Sequence, residues 1–233
     1  MIRLRNFASA FCVAAAVLVA GAANAGEPAV KIPAPASDES AGTAASETAV
    51  LAGGCFWGVQ AVFQHTKGVT QVVSGYAGGS KDTASYHTVS GGNTGHAESV
   101  KITFDPRQVS YGTLLQIYFS VAHNPTELNF QGPDRGTQYR SAIFTLSEAQ
   151  AKIARDYIAQ LDAARVYPNK IVTQVSPLKG FYDAEFYHQN YLTLHPREPY
   201  IVYYDLPKLA NLKTMFPMFY REDAVLVTGS AAD

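Results

Sequence analysis

The run Ala49-Val50-Leu51-Ala52-Gly53-Gly54-Cys55-Phe56-Trp57-Gly58 constrains this chain more than any other. Its apolar start reads as a strand, its paired glycines permit a tight turn that a side chain would obstruct, and a helix is predicted to open at Cys55. A thiol at a helix start faces unpaired backbone N–H groups and the positive end of the helix dipole, and both favour the thiolate. Phe56 and Trp57 set large apolar surfaces beside the sulfur. Position alone leaves two readings open, a reactive nucleophile and a buried structural cysteine.

Residues 1–25 read as a secretory signal. Arg3 and Arg5 form a charged start, an apolar run extends from Phe7 to about Ala22, and Ala23-Asn24-Ala25 supplies a small-x-small cleavage pattern. Cleavage is predicted before Gly26, which places the protein in the periplasm or outside the cell with no stable membrane insertion. Cys12 lies inside this leader, so Cys55 is the one thiol of the mature chain and no internal disulfide is expected. A lone thiol kept in an oxidising compartment argues for chemistry rather than packing.

Without the first 25 of its 233 residues the chain keeps 208, enough for one domain with a well-formed core. Losing Arg3 and Arg5 takes the 18 basic residues to 16 against 19 acidic ones, and a net charge of −3 argues against nucleic acid as a partner. Residues 26–47, rich in Ala, Pro, Ser and acidic side chains without an apolar period, predict a mobile linker. A catalytic domain follows over 48–205. The apolar tail over 206–233, with Met215, Phe216, Pro217, Met218 and Phe219, is predicted to pack back on it.

Within the domain strands and helices interleave. Strands are predicted over 48–53, 69–75, 97–104, 139–145 and 169–175, with helices over 55–65, Ser110 to Ala122, from Ser147 onward, and Asp183 to Leu194. Ser147 and Gln150 stand in capping-box register, and Ile153, Tyr157, Ile158 and Leu161 give that helix an apolar stripe. Short connections favour antiparallel pairing. The predicted class is α+β, a ferredoxin-like two-layer sandwich whose mixed, mostly antiparallel sheet carries helices packed on it.

Three further stretches gather titratable or hydroxyl groups, the first two around glycines: Tyr86 to Glu98, Asn129 to Ser141, and Ala184 to Leu192. Glu98 opens a strand after a glycine-rich turn, where burial would keep it protonated near neutral pH as a general acid requires; a solvated edge glutamate is the alternative. Asp134 and Tyr139 are expected to project into a cavity from a loop that glycine and proline shape; a plain turn aspartate is the alternative for Asp134. His96, His123, His188 and His195 fall in no metal-ligating spacing, so no metal site is expected.

The segments GCFWG, GYAGG, TGHAE, QGPDRGTQYRS and AEFYHQNYL occur in order, and together they resemble the A-type peptide methionine sulfoxide reductases over residues 48–205. These enzymes are the recognised repair route for oxidised methionine. The resemblance implies that Cys55 attacks the sulfoxide sulfur, Glu98 protonates its oxygen, and a sulfenic acid forms on Cys55. It implies that Tyr86 and Tyr139 hydrogen-bond the oxygen, that Asp134 holds the polar end of the pocket through water, and that Phe56 and Trp57 receive the methyl group. It further implies preference for the S epimer of methionine sulfoxide, free or in proteins, in repair of the cell envelope. No bound cofactor is expected, and a monomer is expected.

Many relatives carry further cysteines that resolve the sulfenic acid. This chain has none after its leader, and Ser90 stands where some relatives have cysteine, so the reductant must be external: a thioredoxin-like protein or a small dithiol. Asn124 precedes Pro125 where relatives often have aspartate. Two rival functions fit parts of the sequence, a cysteine hydrolase using one of the histidines as base and a non-catalytic module holding methionine in the Phe56-Trp57 cup.

Overall fold

The structure, a computed structural model, describes residues 26, 28–39 and 44–228. The predicted signal segment with Cys12 lies outside the described residues. In chain order the elements are β1 (Glu47–Gly53), α1 (Phe56–Gln64), β2 (Val69–Ala77), α2 (Tyr86–Val89), β3 (Ala97–Phe104), α3 (Tyr111–Ile117), β4 (Phe130–Gln131), β5 (Asp134–Arg135), β6 (Ser141–Thr145), α4 (Glu148–Ala163), β7 (Gln174–Pro177), β8 (Phe181–Asp183), α5 (Tyr191–Leu194) and α6 (Leu206–Met215).

Six strands form one sheet in the order β7-β6-β1-β3-β2-β8, and β4 pairs with β5 in a small separate ribbon. Only β6 and β7 run parallel; the other pairs in the sheet are antiparallel. The four central strands, β6-β1-β3-β2, are joined by α1 between β1 and β2 and by α3 between β3 and β6. That is the β-α-β-β-α-β plan of a two-layer sandwich.

The helices share one face. Leu51, Val72, Val100, Ile102 and Ile143 from the sheet pack in one cluster with Phe56, Val59 and Phe63 of α1, Leu114 and Leu115 of α3, and Tyr157 and Leu161 of α4. The opposite face is built from small residues, Ala52, Ala77, Ala97 and Ala142 with Val50 and Phe144, and Leu178 and Phe181 close over it. Two serines start the crossover helices: Ser110 accepts from Thr113 N–H, and Ser147 accepts from Gln150 N–H. Gln150 also accepts from Leu146 N–H and donates to Thr48 O, tying α4 to β1.

Antiparallel register decides where the chemistry can sit. Gly53 at the end of β1 pairs with Ser141 at the start of β6, and Tyr76 near the end of β2 pairs with Glu98 near the start of β3. Cys55, Glu98, the loop after β2 that carries Tyr86, and the turn before β6 that carries Tyr139 therefore gather at one end of the sheet.

Three sequence expectations are corrected. Residues 28–38 do not behave as a linker: Val30 and Ser120 exchange hydrogen bonds, Ile32 is buried, Tyr157 donates to Pro33 O, Gln160 bonds Ala34 and Ala36, and Asp38 accepts from Gly112 N–H. A Pro- and Ala-rich extended chain satisfies none of its own backbone groups, so they remain free to bond the helices it crosses. The strand predicted over 169–175 forms at Gln174–Pro177 instead, because Asp162 takes Ile171 N–H and Pro125 O takes Val172 N–H. The helix predicted over Asp183 to Leu194 breaks into a 3-10 turn at Phe186–His188 and the single turn α5, with Asn190 left-handed at φ 58° between them. There the side chain of Gln189 bonds both backbone groups of Ser74, and Asn190 N–H donates to Gln60 Oε1.

After α6 the chain returns along α1, where Arg221 N–H donates to His65 O and Val225 N–H to Gln64 O. No helix among the described residues is long and apolar enough to cross a membrane.

Candidate active site

Cys55 leaves β1 through a turn that only glycine can make. Gly54 has φ +88°, and a Cβ there would lie 2.6 Å from Gln131 Cβ. Gln131 in turn fixes the loop, accepting from Asn124 N–H at 3.0 Å and donating to Asn124 O. Asn124 itself accepts from Thr126 N–H at 3.1 Å, the turn an aspartate would make, so its departure from the relatives' residue leaves this geometry intact.

The residue after the cysteine reaches the acid. Phe56 N–H donates to Glu98 Oε2 at 3.0 Å, which fixes this carboxyl beside the first turn of α1. Glu98 is 4 % exposed. Burial raises its pKa to about 8, with Asp134 adding to the rise and the Phe56 amide opposing it, so it holds its proton at neutral pH.

The Trp57 amide favours the thiolate, as expected of a helix start, but burial opposes it. Burial, followed by the charges of Glu98, Asp205 and Asp134, pushes the Cys55 thiol well above its ordinary range. The Phe56 amide, which could have served the sulfur, is spent on Glu98. A single amide does not offset full burial among carboxyl groups.

Tyr86, Tyr139 and Asp134 join this centre. Burial and then Glu98, Asp134, Cys55 and Tyr86 hold the Tyr139 hydroxyl protonated. Burial and Glu98 likewise raise Tyr86. Asp134 in β5 accepts from Tyr200 O–H at 2.5 Å, and Glu185 anchors the Tyr86 turn by accepting its backbone N–H at 2.9 Å.

The two aromatic residues after Cys55 differ in exposure. Phe56 is 1 % exposed, its ring against Tyr76 and His188, so it serves as floor. Trp57 is half-buried and stacks on Tyr191 with ring centres 3.7 Å apart and planes 6° from parallel, while Tyr200 meets it edge-on. Its indole N–H donates to His188 Nδ1 at 3.2 Å, which leaves the histidine's proton on Nε2. Burial lowers the His188 pKa, so that neutral tautomer fits the site.

No role follows from sequence alone for His188, Tyr191, Tyr200, Glu185, Asp205 or Lys208. The first, second and fourth lie in or beside AEFYHQNYL, but a motif does not say which way its side chains point. Lys208 falls beyond the predicted domain end, and only α6 folding back on α1 brings it near. A cavity of about 30 Å³, room for one or two waters, is walled by Cys55, Gln131, Gly132, Pro133, Tyr200, Tyr204 and Lys208. The larger cavity of about 810 Å³ lies between residues 37–48 and α4 and has no site residue in its wall.

Other histidines have structural bonds: His96 joins Gly79 N–H and Ser80 O, and His123 lies between Tyr118 O and Ser141 Oγ. With His188 bonded to Trp57, the hydrolase reading lacks a base bonded to the sulfur. Among the described residues no group of three or more His, Cys, Asp or Glu is placed to hold a metal ion.

Residues 47–218 match the model of a family described as peptide methionine sulfoxide reductase. A Mesorhizobium japonicum protein named peptide methionine sulfoxide reductase MsrA 2 is 64 % identical over 186 residues, covering 80 % of this chain and 95 % of that one. A Synechocystis protein of the same name is 48 % identical over 182 residues, covering 78 % and 84 %. Among solved structures, reduced Mxr1 from Saccharomyces cerevisiae is similar at a TM-score of 0.61 and 35 % identity, covering 68 % of this chain and 91 % of its own. Methionine sulfoxide reductase A of Corynebacterium diphtheriae is similar at 0.58 and 34 % identity, covering 74 % and 86 %.

Proposed function

The chain belongs to the A-type peptide methionine sulfoxide reductases, oxidoreductases that return methionine sulfoxide to methionine, and on that premise we propose a thiol-dependent route through Cys55. The observation that carries it is the buried Glu98 carboxyl hydrogen-bonded to the amide next to the cysteine, where burial raises its pKa. A sulfoxide sulfur is a poor electrophile until its oxygen gains a proton, so acid and nucleophile must flank one S–O bond.

In the proposed step the methyl group lies on Phe56 and Trp57, and the oxygen accepts from Glu98, Tyr86 and Tyr139, with Asp134 ordering the polar end through water. Glu98 gives its proton to the sulfoxide oxygen and takes up the thiol proton of Cys55 as the Cys55 sulfur bonds to the sulfoxide sulfur. The S–O bond then breaks, the hydroxyl passes to the Cys55 sulfur, and the transient S–S bond breaks to free methionine. Methionine gains two electrons, and Cys55 loses two to become the sulfenic acid. An external dithiol then takes that oxygen as water and leaves as a disulfide, since Cys55 is the one cysteine among the described residues. The donor is a thioredoxin-like protein or a small dithiol.

Fixing the methyl, the oxygen and the direction of sulfur attack leaves one place for the rest of the methionine, so a single epimer is selected, the S epimer by resemblance to the family. With the leader over 1–25, the proposed setting is repair of oxidised proteins outside the cytoplasm by a monomer. The deciding experiment is turnover of separated methionine sulfoxide epimers with dithiothreitol. The S epimer alone should be reduced, and Cys55→Ser should abolish conversion. Equal rates on both epimers, or activity in the serine variant, would remove this route, and stoichiometric binding without conversion would favour the binding module.

A further inference from the structure

A buried cation stands beside a sulfur that its own helix leaves short of positive charge. Lys208 Nζ donates to Asp205 Oδ1 at 3.1 Å, and their side chains are 9 % and 0 % exposed. The pair packs against the first turn of α1. A Cβ at Gly58, three residues after Cys55, would lie 2.1 Å from Asp205 Oδ1 and 3.0 Å from Lys208 Nζ. The last glycine of GCFWG therefore exists to admit these two side chains.

Their orientation is unequal. Lys208 is among the residues that wall the small cavity together with Cys55, Tyr200 and Tyr204, and Asp205 is not. Burial works against the lysine's charge, but Asp205, then the Cys55 sulfur and Asp134, outweigh it and hold the proton on Nζ. Coupling is mutual: a cation held by the sulfur's charge also favours that charge. Stability alone does not account for the pair, because buried ion pairs replaced by apolar residues often cost nothing. Among the described residues Asp205 Oδ2 has no hydrogen-bond partner.

We propose that the Asp205–Lys208 pair is a positioning device for the charge of the catalytic sulfur, in which Asp205 holds Lys208 and Lys208 supplies the cation that the start of α1 does not. The inference rests on the reading of Cys55 as nucleophile. The other ionisable groups around the sulfur are Glu98 on β3, Asp134 on β5, Tyr86 on α2, Tyr139 before β6, and Tyr200 and Tyr204 before α6. Each is neutral or anionic, so none can replace the lysine.

The test uses the full chain without any sulfoxide, so it can fail independently of the reductase reading. Alkylation of Cys55 by iodoacetamide is followed from pH 5 to 11 by mass spectrometry of the Cys55 peptide. Lys208→Met should raise the alkylation midpoint by about one to three pH units, a tenfold or greater loss of thiolate at fixed pH. Lys208→Arg, which keeps the cation, should stay near wild type. Where Lys208→Met alone does not fold, Lys208→Gln, which keeps a donor to Asp205 without the cation, should still shift the midpoint upward. A folded variant whose midpoint stays or falls overturns the proposal, as does an arginine variant displaced as far as methionine, since volume rather than charge would then be at issue.

Discussion

At the scale of single residues, the site turns on two groups whose protons are set by burial in opposite directions of usefulness. Burial makes Glu98 an acid at neutral pH, which suits it, and holds the Cys55 thiol protonated, which does not. Glu98→Gln keeps a side chain of the same shape without a proton to give. We expect it to slow the single-turnover rate at least ~100-fold, the lower end for general acid help, with little change in substrate affinity. The pH profile should carry the same signature. Glu98 is raised to about 8, so its acid form is present below that pH and lost above it, and the wild-type rate should fall as pH rises through about 8. A rate indifferent to Glu98→Gln would take the residue out of the acid role.

At the scale of elements, most of the architecture follows from local chemistry. Paired glycines end β1, and serine caps start α3 and α4. Segments that depart from expectation do so where backbone groups are claimed by distant side chains. Residues 184–190 carry apolar and aromatic residues that suit a helix, yet Gln189 bonds Ser74 and Ala184, and a helix cannot serve those partners. The 28–38 strap is the other case. Deleting residues 1–38 removes the burial of Ile32 and the Asp38 bond to the start of α3, offset by the chain entropy released. A net loss of about 1–3 kcal/mol is expected, seen as a melting temperature several degrees lower with the epimer preference kept. An unchanged or higher melting temperature would show the strap to be ornamental.

At the scale of the whole molecule, the proposed exported setting rests on the sequence of residues 1–25 alone, and cell fractionation with N-terminal sequencing of the recovered protein is the direct check. A chain beginning at Gly26 outside the cytoplasm is expected; a cytoplasmic chain that retains Met1 would refute export. The α+β class and the identity of Cys55, Glu98, Tyr86, Asp134, Tyr139, Phe56 and Trp57 as candidates were legible in the sequence, because glycine turns, apolar periods and ordered motifs act over short stretches of chain. The charge of the sulfur was not legible. It depends on how deeply Cys55 is buried, on Glu98 taking the Phe56 amide, and on Lys208 arriving from α6 more than 150 residues away. Electrostatic energy depends on distance and solvent exposure in the folded molecule, and neither quantity is a property of sequence neighbours.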